Sequence, residues 1–188
     1  MNIGIDIDDT INNLAQIIGV YAKKYNEENN IDYKIRLNCW SWEKACGWNE
    51  YHIKKFMGEY MEEAFLKATP KDDAANVIEK LHLDGNKIII ITSRSDQRIN
   101  NPYQISEKWL KRNNIYYDKL IINGEEKAKQ CIENNIDIFI DDHIDFCNDI
   151  QKNTKTRILM FDSPYNQECT KYTRVNTWKE VYEKIKEI

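Results

Sequence analysis

Five short runs of apolar, mostly β-branched residues, at 3–7, 87–91, 119–122, 136–140 and 157–161, constrain this chain more than any other feature. They are continuous rather than alternating, as in KIIII at 87–91. A strand with one wet face alternates, whereas a strand covered on both faces reads as an unbroken apolar run. The later four runs are separated by amphipathic segments of helical length, at 74–83, 104–112, 125–134 and 144–152. The first of these stops before Gly85, which can adopt the left-handed cap. A last helix is expected from Thr177, with Glu180 three residues on as in a capping box, and with Trp178, Val181 and Ile185 on its buried face. Strands alternating with helices predict an α/β fold, a doubly wound (Rossmann-like), mainly parallel sheet of five strands. At 188 residues, with 41% hydrophobic and 11% aromatic content, the chain can bury a core and is not disordered.

One region breaks the alternation. Residues 12–69 contain no buried-strand run. They hold a helical stretch at 14–25, a polar link, and an aromatic segment with Trp40, Trp42, Trp48, Tyr51, Phe56 and Tyr60. The expected organisation is therefore an α/β core of residues 1–11 and 70–188, with a small helical cap of residues 12–69 inserted after the first strand.

A formal charge of −4 does not suit a binder of polymeric nucleic acid, which would carry a basic face. It is compatible with a small phosphate ester, because a bound divalent cation inverts the local field. The five cysteines are odd in number and form no CxxC pair, as expected of free thiols in a reducing compartment. No run approaches membrane-spanning length, and a cytoplasmic location without a membrane partner is the expectation.

In a doubly wound sheet ligands bind beyond the carboxyl ends of the strands, near the switch point. The first strand carries Asp6, Asp8 and Thr10 there. The side-chain period of two sends Asp6 and Asp8 to one side, and carboxylates that close require a cation or a shared proton. The second strand ends in Thr92, Ser93 and Arg94, the fourth in Asp141 and Asp142, and the helix between carries Lys127 with Lys129 behind it. These are the parts of a phosphoryl-transfer site with a carboxylate nucleophile. Attack of an anion on an anion needs a hard cation with oxygen ligands, and Mg²⁺ held by Asp6, Asp141, a backbone carbonyl and waters suits that need. Thr92 would donate to a phosphoryl oxygen, Lys127 would offset charge, and Asp8 would act as general acid and base.

The set DIDDT, ITSR, an upstream lysine and IDD resembles the haloacid dehalogenase superfamily. Within it the chain resembles the cytosolic 5′(3′)-deoxyribonucleotidase group and its bacterial nucleotidase relatives. The closer likeness adds the cap after the first motif, Thr69-Pro70 before the second strand, and the tail FDSPYN followed by RVNTW. The resemblance implies Asp6 as nucleophile, Asp8 as acid/base, Thr92 as the second-motif residue and Lys127, or alternatively Lys129, as the third-motif lysine. It implies Asp6, Asp8, Asp141 and Asp142 as the metal-site residues, with either of the last two as the direct ligand. The presence of Asp8 resembles the phosphatase branches, since the dehalogenases lack that acid.

The expected activity is that of an Mg²⁺-dependent phosphomonoesterase acting on a small phosphorylated substrate, a nucleoside monophosphate, through an aspartyl-phosphate. Ser93 and Arg94 are candidate phosphate contacts, although Arg94 is equally readable as a solvated side chain. Trp40 and Trp42 are candidate base-stacking residues, set against a role with Trp48 in the cap's own core. Asp9 reads as a turn residue and His143 as a helix-start residue. Tyr165 and Asn166 are placed at the site rim by the resemblance alone. A sugar-phosphate phosphatase and a non-catalytic nucleotide-sensing module are the competing readings, and the latter would be expected to lack one of the acids or the lysine. A homodimer is compatible with the sequence.

Overall fold

A computed structural model of the chain describes residues 1–97, 99–122 and 124–188. Among them, six parallel strands form one sheet: β1 (Asn2–Ile5), β2 (Lys87–Ile91), β3 (Lys119–Ile121), β4 (Ile138–Asp141), β5 (Arg157–Phe161) and β6 (Thr173–Val175), in the order β3-β2-β1-β4-β5-β6. The architecture is the expected doubly wound α/β fold, with one strand more than the five read from the sequence. The sixth is a three-residue edge strand in which only Val175 is buried, so it carries no apolar run. It is pinned by Arg174, which donates to Asp162, to the Asn166 side chain and to the carbonyls of Asn166 and Cys169.

Both faces of the sheet are covered, which is why the runs are unbroken. Ile3, Ile5, Ile88, Ile90, Ile138 and Ile140 point into one layer with α4 (Ala74–Leu83) and α8 (Trp178–Lys186). Ile89, Ile91, Phe139 and Met160 point into the other, with α6 (Lys127–Glu133) and α7 (Ile144–Asn153). Between Ile3 and Ile5, Gly4 lets the Phe139 ring close on β1; a Cβ there would lie 2.3 Å from that ring. Gly85 takes the left-handed conformation expected after α4, with φ 88°. Thr177 caps α8 by accepting from Glu180 N, while Glu180 accepts from Asn176 N one residue before the expected partner.

After β1 the chain leaves the sheet and returns through a neck. Asn12 and Pro70 form an antiparallel bridge, Asn13 N donates to Thr69 O and Lys71 N to Ile11 O. Between them lie α1 (Leu14–Glu28), α2 (Trp42–Cys46) and α3 (Glu50–Lys67). Their separate core holds Leu14, Tyr25, Trp48, Phe56, Met61 and Phe65 and takes in Ile99 and Ile105 from beyond β2. The layer docks on α5 (Pro102–Arg112), where buried Trp109 donates to Ala68 O at 2.7 Å. No helix among the described residues is long and apolar enough to cross a membrane, and all five cysteines are free.

Candidate active site

The sheet register builds the site. Ile5 pairs with Ile140, and Asp6 N donates to Ile140 O, so Asp6 leaves β1 beside Asp141 at the end of β4. Ile7 turns back into the core, which leaves Asp6 and Asp8 on the same side. Asp9 then turns the chain with φ 58°, a left-handed position that Asp tolerates better than most residues. It is the turn residue read from the sequence, and its carboxylate also accepts from Ala15 N in the first turn of α1, a contact the sequence did not indicate.

Lys127, the first residue of α6, reaches in with Nζ 2.7 Å from Asp6 Oδ1 and 2.6 Å from Asp141 Oδ2. Lys129 is exposed and pairs with Glu126, so the structure brings Lys127 and not Lys129 to the carboxylates. Asp141 Oδ1 accepts from His143 N, while Asp142 accepts from Thr10 Oγ1 at 2.8 Å and from the Tyr165 hydroxyl. Oxygens of Asp6, Asp141 and Asp142, all buried, lie within 4.8 Å of one another. Asp8 stands apart from this cluster. Its carboxylate is held by Arg94 and by Asn12 Nδ2.

Crowding sets the electrostatics. Burial, reinforced by Asp141 and Asp8, pushes the Asp6 carboxyl up to about 7, against the pull of Lys127. Burial and the charges of Asp141, Asp9 and Asp6 hold Asp142 well above the carboxylate range. Burial would discharge Lys127, but Asp141 and Asp6 outweigh it and keep the ammonium charged. Three buried carboxylates facing one ammonium hold more negative charge than the site can neutralise itself. The donor set is hard oxygen of the kind that suits Mg²⁺. The residues present therefore fit a divalent cation, with Asp6, Asp141 and Asp142 as its holders.

A cavity of about 170 Å³ opens over these groups. Asp6, Asp8, Ser93, Arg94, Lys127, Asp141 and Asp142 line its floor, and Trp40, Trp42, Met57, Met61 and Phe65 line its roof. Thr92 is buried behind the wall, where its Oγ1 accepts from Arg94 N. Trp48 belongs to the cap's core, buried with Nε1 on Asn26. Trp42 stacks on it at 5.6 Å while touching the cavity. Trp40 is 54% exposed and sits edge-on to His143, with centroids 4.3 Å apart. His143 is the N-cap residue of α7, and Tyr165 reaches the cavity wall.

Arg94 is not the solvated side chain of one of its two readings; it lines the cavity, with its guanidinium engaged by Asp8. It is 3% exposed, with Nε and Nη2 on Asp8. Sequence reasoning missed Asn12 as a partner of Asp8, and Ser95, whose buried Oγ lines the cavity without a hydrogen-bond partner among the described residues. It also missed Phe146, which lies 4.4 Å below the Lys127 ammonium. The ITSRS string did hold Ser95, but nothing in it marks an orphaned hydroxyl.

The whole chain, residues 1–188, matches the family described as 5′ nucleotidase, deoxy (Pyrimidine), cytosolic type C protein. It is 29% identical over 194 residues to the Bacillus subtilis (strain 168) protein named "Putative nucleotidase YqfW", covering 96% of this chain and 91% of that one. Its fold is similar to that of a haloacid dehalogenase-like family hydrolase from Streptococcus pneumoniae, with a TM-score of 0.74 and 12% identity over 98% of this chain and 97% of that one. A haloacid dehalogenase family hydrolase from Deinococcus radiodurans R1 with bound phosphate and sodium gives a TM-score of 0.67 at 11% identity, over 99% and 95%. With the acids, the lysine and the cap arranged as described, the chain belongs to the cytosolic type C deoxynucleotidase family and is a phosphoric monoester hydrolase.

Proposed function

We propose that the protein is an Mg²⁺-dependent 5′-nucleotidase that hydrolyses deoxyribonucleoside monophosphates through an aspartyl-phosphate on Asp6. The observation that carries this reading is Lys127 bridging Asp6 and Asp141, with Asp142 beside them and Asp8 on the same cavity floor. The family description and the relative's name supply the substrate class.

A divalent ion held by Asp6, Asp141 and Asp142 would supply positive charge to the phosphoryl oxygens and keep Asp6 ionised. An Asp6 oxygen bonds to phosphorus as the ester P–O bond breaks, and that bond's electron pair stays on the leaving oxygen. Asp8 gives its proton to that oxygen, releasing the nucleoside as an alcohol. In the second half Asp8, now a carboxylate, takes a proton from water. The water oxygen bonds to phosphorus, the P–O bond to Asp6 breaks, and inorganic phosphate leaves. Lys127 offsets charge in both halves, and Ser93 and Ser95 are the neutral donors beside the phosphoryl position, with Thr92 behind them. Trp40 and Trp42 in the roof offer aromatic faces to the base.

Phosphate release from deoxy- and ribonucleoside 5′- and 3′-monophosphates, sugar phosphates and an aryl phosphate, with Mg²⁺ and with chelator, tests the reading. Metal-dependent release concentrated on deoxynucleotides and lost in Asp6→Asn is the expected result. Release from sugar phosphates alone would overturn the substrate, and metal-independent release would overturn the role of the ion.

A further inference from the structure

All three guanidinium nitrogens of Arg94 are engaged, and among the described residues none of them meets the three-carboxylate cluster. Nε donates to Asp8 Oδ2 at 2.9 Å and Nη2 to Asp8 Oδ1 at 2.6 Å, so the guanidinium fork grips both oxygens. Nη1 donates to Ser106 Oγ on α5 at 3.2 Å. The guanidinium carbon lies 4.0 Å over the ring of Phe65 on α3. Asn12 Nδ2 adds a third donor to Asp8, at 3.0 Å on Oδ1. A carboxylate has about four lone-pair sites. Among the described residues three are taken, two on Oδ1 and one on Oδ2, so the open site is on Oδ2.

A two-pronged arginine fixes the plane of its carboxylate, which a lysine cannot do. This fork is itself fixed, by Ser106 on the core side and Phe65 on the cap side. We propose that Arg94 is a positioning residue which, with Asn12, sets the Asp8 carboxyl so that Oδ2 carries the proton handed to the leaving oxygen. The proposal rests on the reading of Asp8 as the general acid. When that proton leaves with the alcohol, the Asp8 carboxylate remains in the fork, and the water of the second half returns a proton to Oδ2. Arg94 therefore acts through Asp8. In the first half its loss is felt where the leaving oxygen needs a proton and much less where it does not, whereas the second half is common to every ester.

The test uses the full chain with Mg²⁺, as wild type, Arg94→Met, Arg94→Lys and Asp8→Asn. The comparison is of kcat/KM, which reads only the steps up to formation of the aspartyl-phosphate, on a nucleoside monophosphate, whose alkoxide leaves poorly, and on 4-nitrophenyl phosphate, whose leaving group needs little protonation. The inhibition constant of inorganic phosphate is read alongside. Asp8→Asn defines the signature of a missing acid, a large loss confined mostly to the alkyl ester. Both Arg94 variants should follow it in the same direction, with kcat/KM on the alkyl ester falling about ten- to a hundredfold further than on the aryl ester. Phosphate inhibition should stay within about threefold, because the fork is spent on Asp8. Should Arg94→Met fail to fold, Arg94→Lys, which keeps the charge and loses the fork, carries the test alone. Equal losses on both esters, weakened phosphate inhibition, or a wild-type ratio in Arg94→Lys would each overturn the proposal. Absence of phosphate release by the wild type from either ester would instead overturn the phosphomonoesterase reading itself.

Discussion

Replacing Asp6, the proposed nucleophile, should make the metal-free protein more stable. Asp6 is 4% exposed and shares its site with Asp141 and Asp142, whose oxygens lie within 4.8 Å, while Lys127 alone bridges Asp6 and Asp141. Burial, then the charges of Asp141 and Asp8, raise its carboxyl from 3.8 to about 7. Below pH 4 the group is protonated both folded and unfolded and costs nothing. Between pH 4 and 7 the unfolded chain gives up this proton freely while the folded chain holds it, so stability falls as pH rises, and above about pH 7 the deficit is complete. At about 1.4 kcal/mol per tenfold change in proton affinity, the ceiling is about 4 kcal/mol. Asparagine cannot ionise, and its amide oxygen can still accept from Lys127. In chelator at pH 8, Asp6→Asn should therefore exceed wild type by up to about 4 kcal/mol, at most roughly 8–16 °C in Tm for a chain of this size. At pH 4 the two should converge. His143, held low by burial, has the opposite sign, but it is common to both proteins and cancels in the difference. Urea and thermal unfolding at pH 4, 5.5 and 8 measure the gap, and added Mg²⁺ should close it by stabilising wild type more than the variant. A variant no more stable than wild type at pH 8 would refute the crowded-carboxylate argument.

Three further outcomes are expected. Ser95→Ala removes the unpartnered hydroxyl on the cavity wall and should weaken inhibition by inorganic phosphate about two- to tenfold without lowering Tm, the worth of one neutral hydrogen bond; an unchanged inhibition constant would remove Ser95 from the site. Trp109→Phe leaves the Ala68 carbonyl without its indole donor where the cap layer meets α5, and should cost about 1–3 kcal/mol in urea unfolding; a change under about 0.5 kcal/mol would mean that water replaces the bond. Trp40→Ala, at an exposed residue resting on His143, should alter the ranking of nucleotides while sparing hydrolysis of an aryl ester; uniform loss on all substrates would point to a structural role.

Much of the core was readable because its signals are local. The runs at 87–91 and 157–161 coincide with β2 and β5, since burial on both faces leaves an unbroken apolar string. The acids at the ends of β1 and β4 were readable for the same reason, because parallel register alone sets Asp6 beside Asp141. The sixth strand was not readable. Thr173–Val175 is three residues long with one buried side chain, and it is held by the Arg174 contacts rather than by a hydrophobic run. The tryptophans divided in a way composition could not foresee. Trp48 is core, Trp40 is exposed over the site, and Trp42 lies between them, although the three are within nine positions of one another.

Arg94 marks the limit of what a string can convey. Its partner Asp8 lies 86 positions earlier, and its flanking contacts come from Phe65 in the inserted layer and Ser106 on α5. None of these pairings has a spacing rule, because they form only when the inserted helices settle against the strand ends. The buried guanidinium would be costly without a carboxylate to meet it. The exposed reading of Arg94 thus failed for a physical reason: the roof that buries the arginine is the element whose placement the sequence leaves unwritten. The same dependence makes the setting of Asp8 sensitive to the inserted layer. Asn12 sits in the neck and Phe65 on α3, so a shift of the inserted layer moves two of the groups that hold or brace Asp8, while Asp6, Asp141 and Lys127 keep their contacts within the sheet and α6. Asp6, the proposed nucleophile, is thus held within the sheet and α6, whereas Asp8, the proposed proton donor, is set by how the roof is seated.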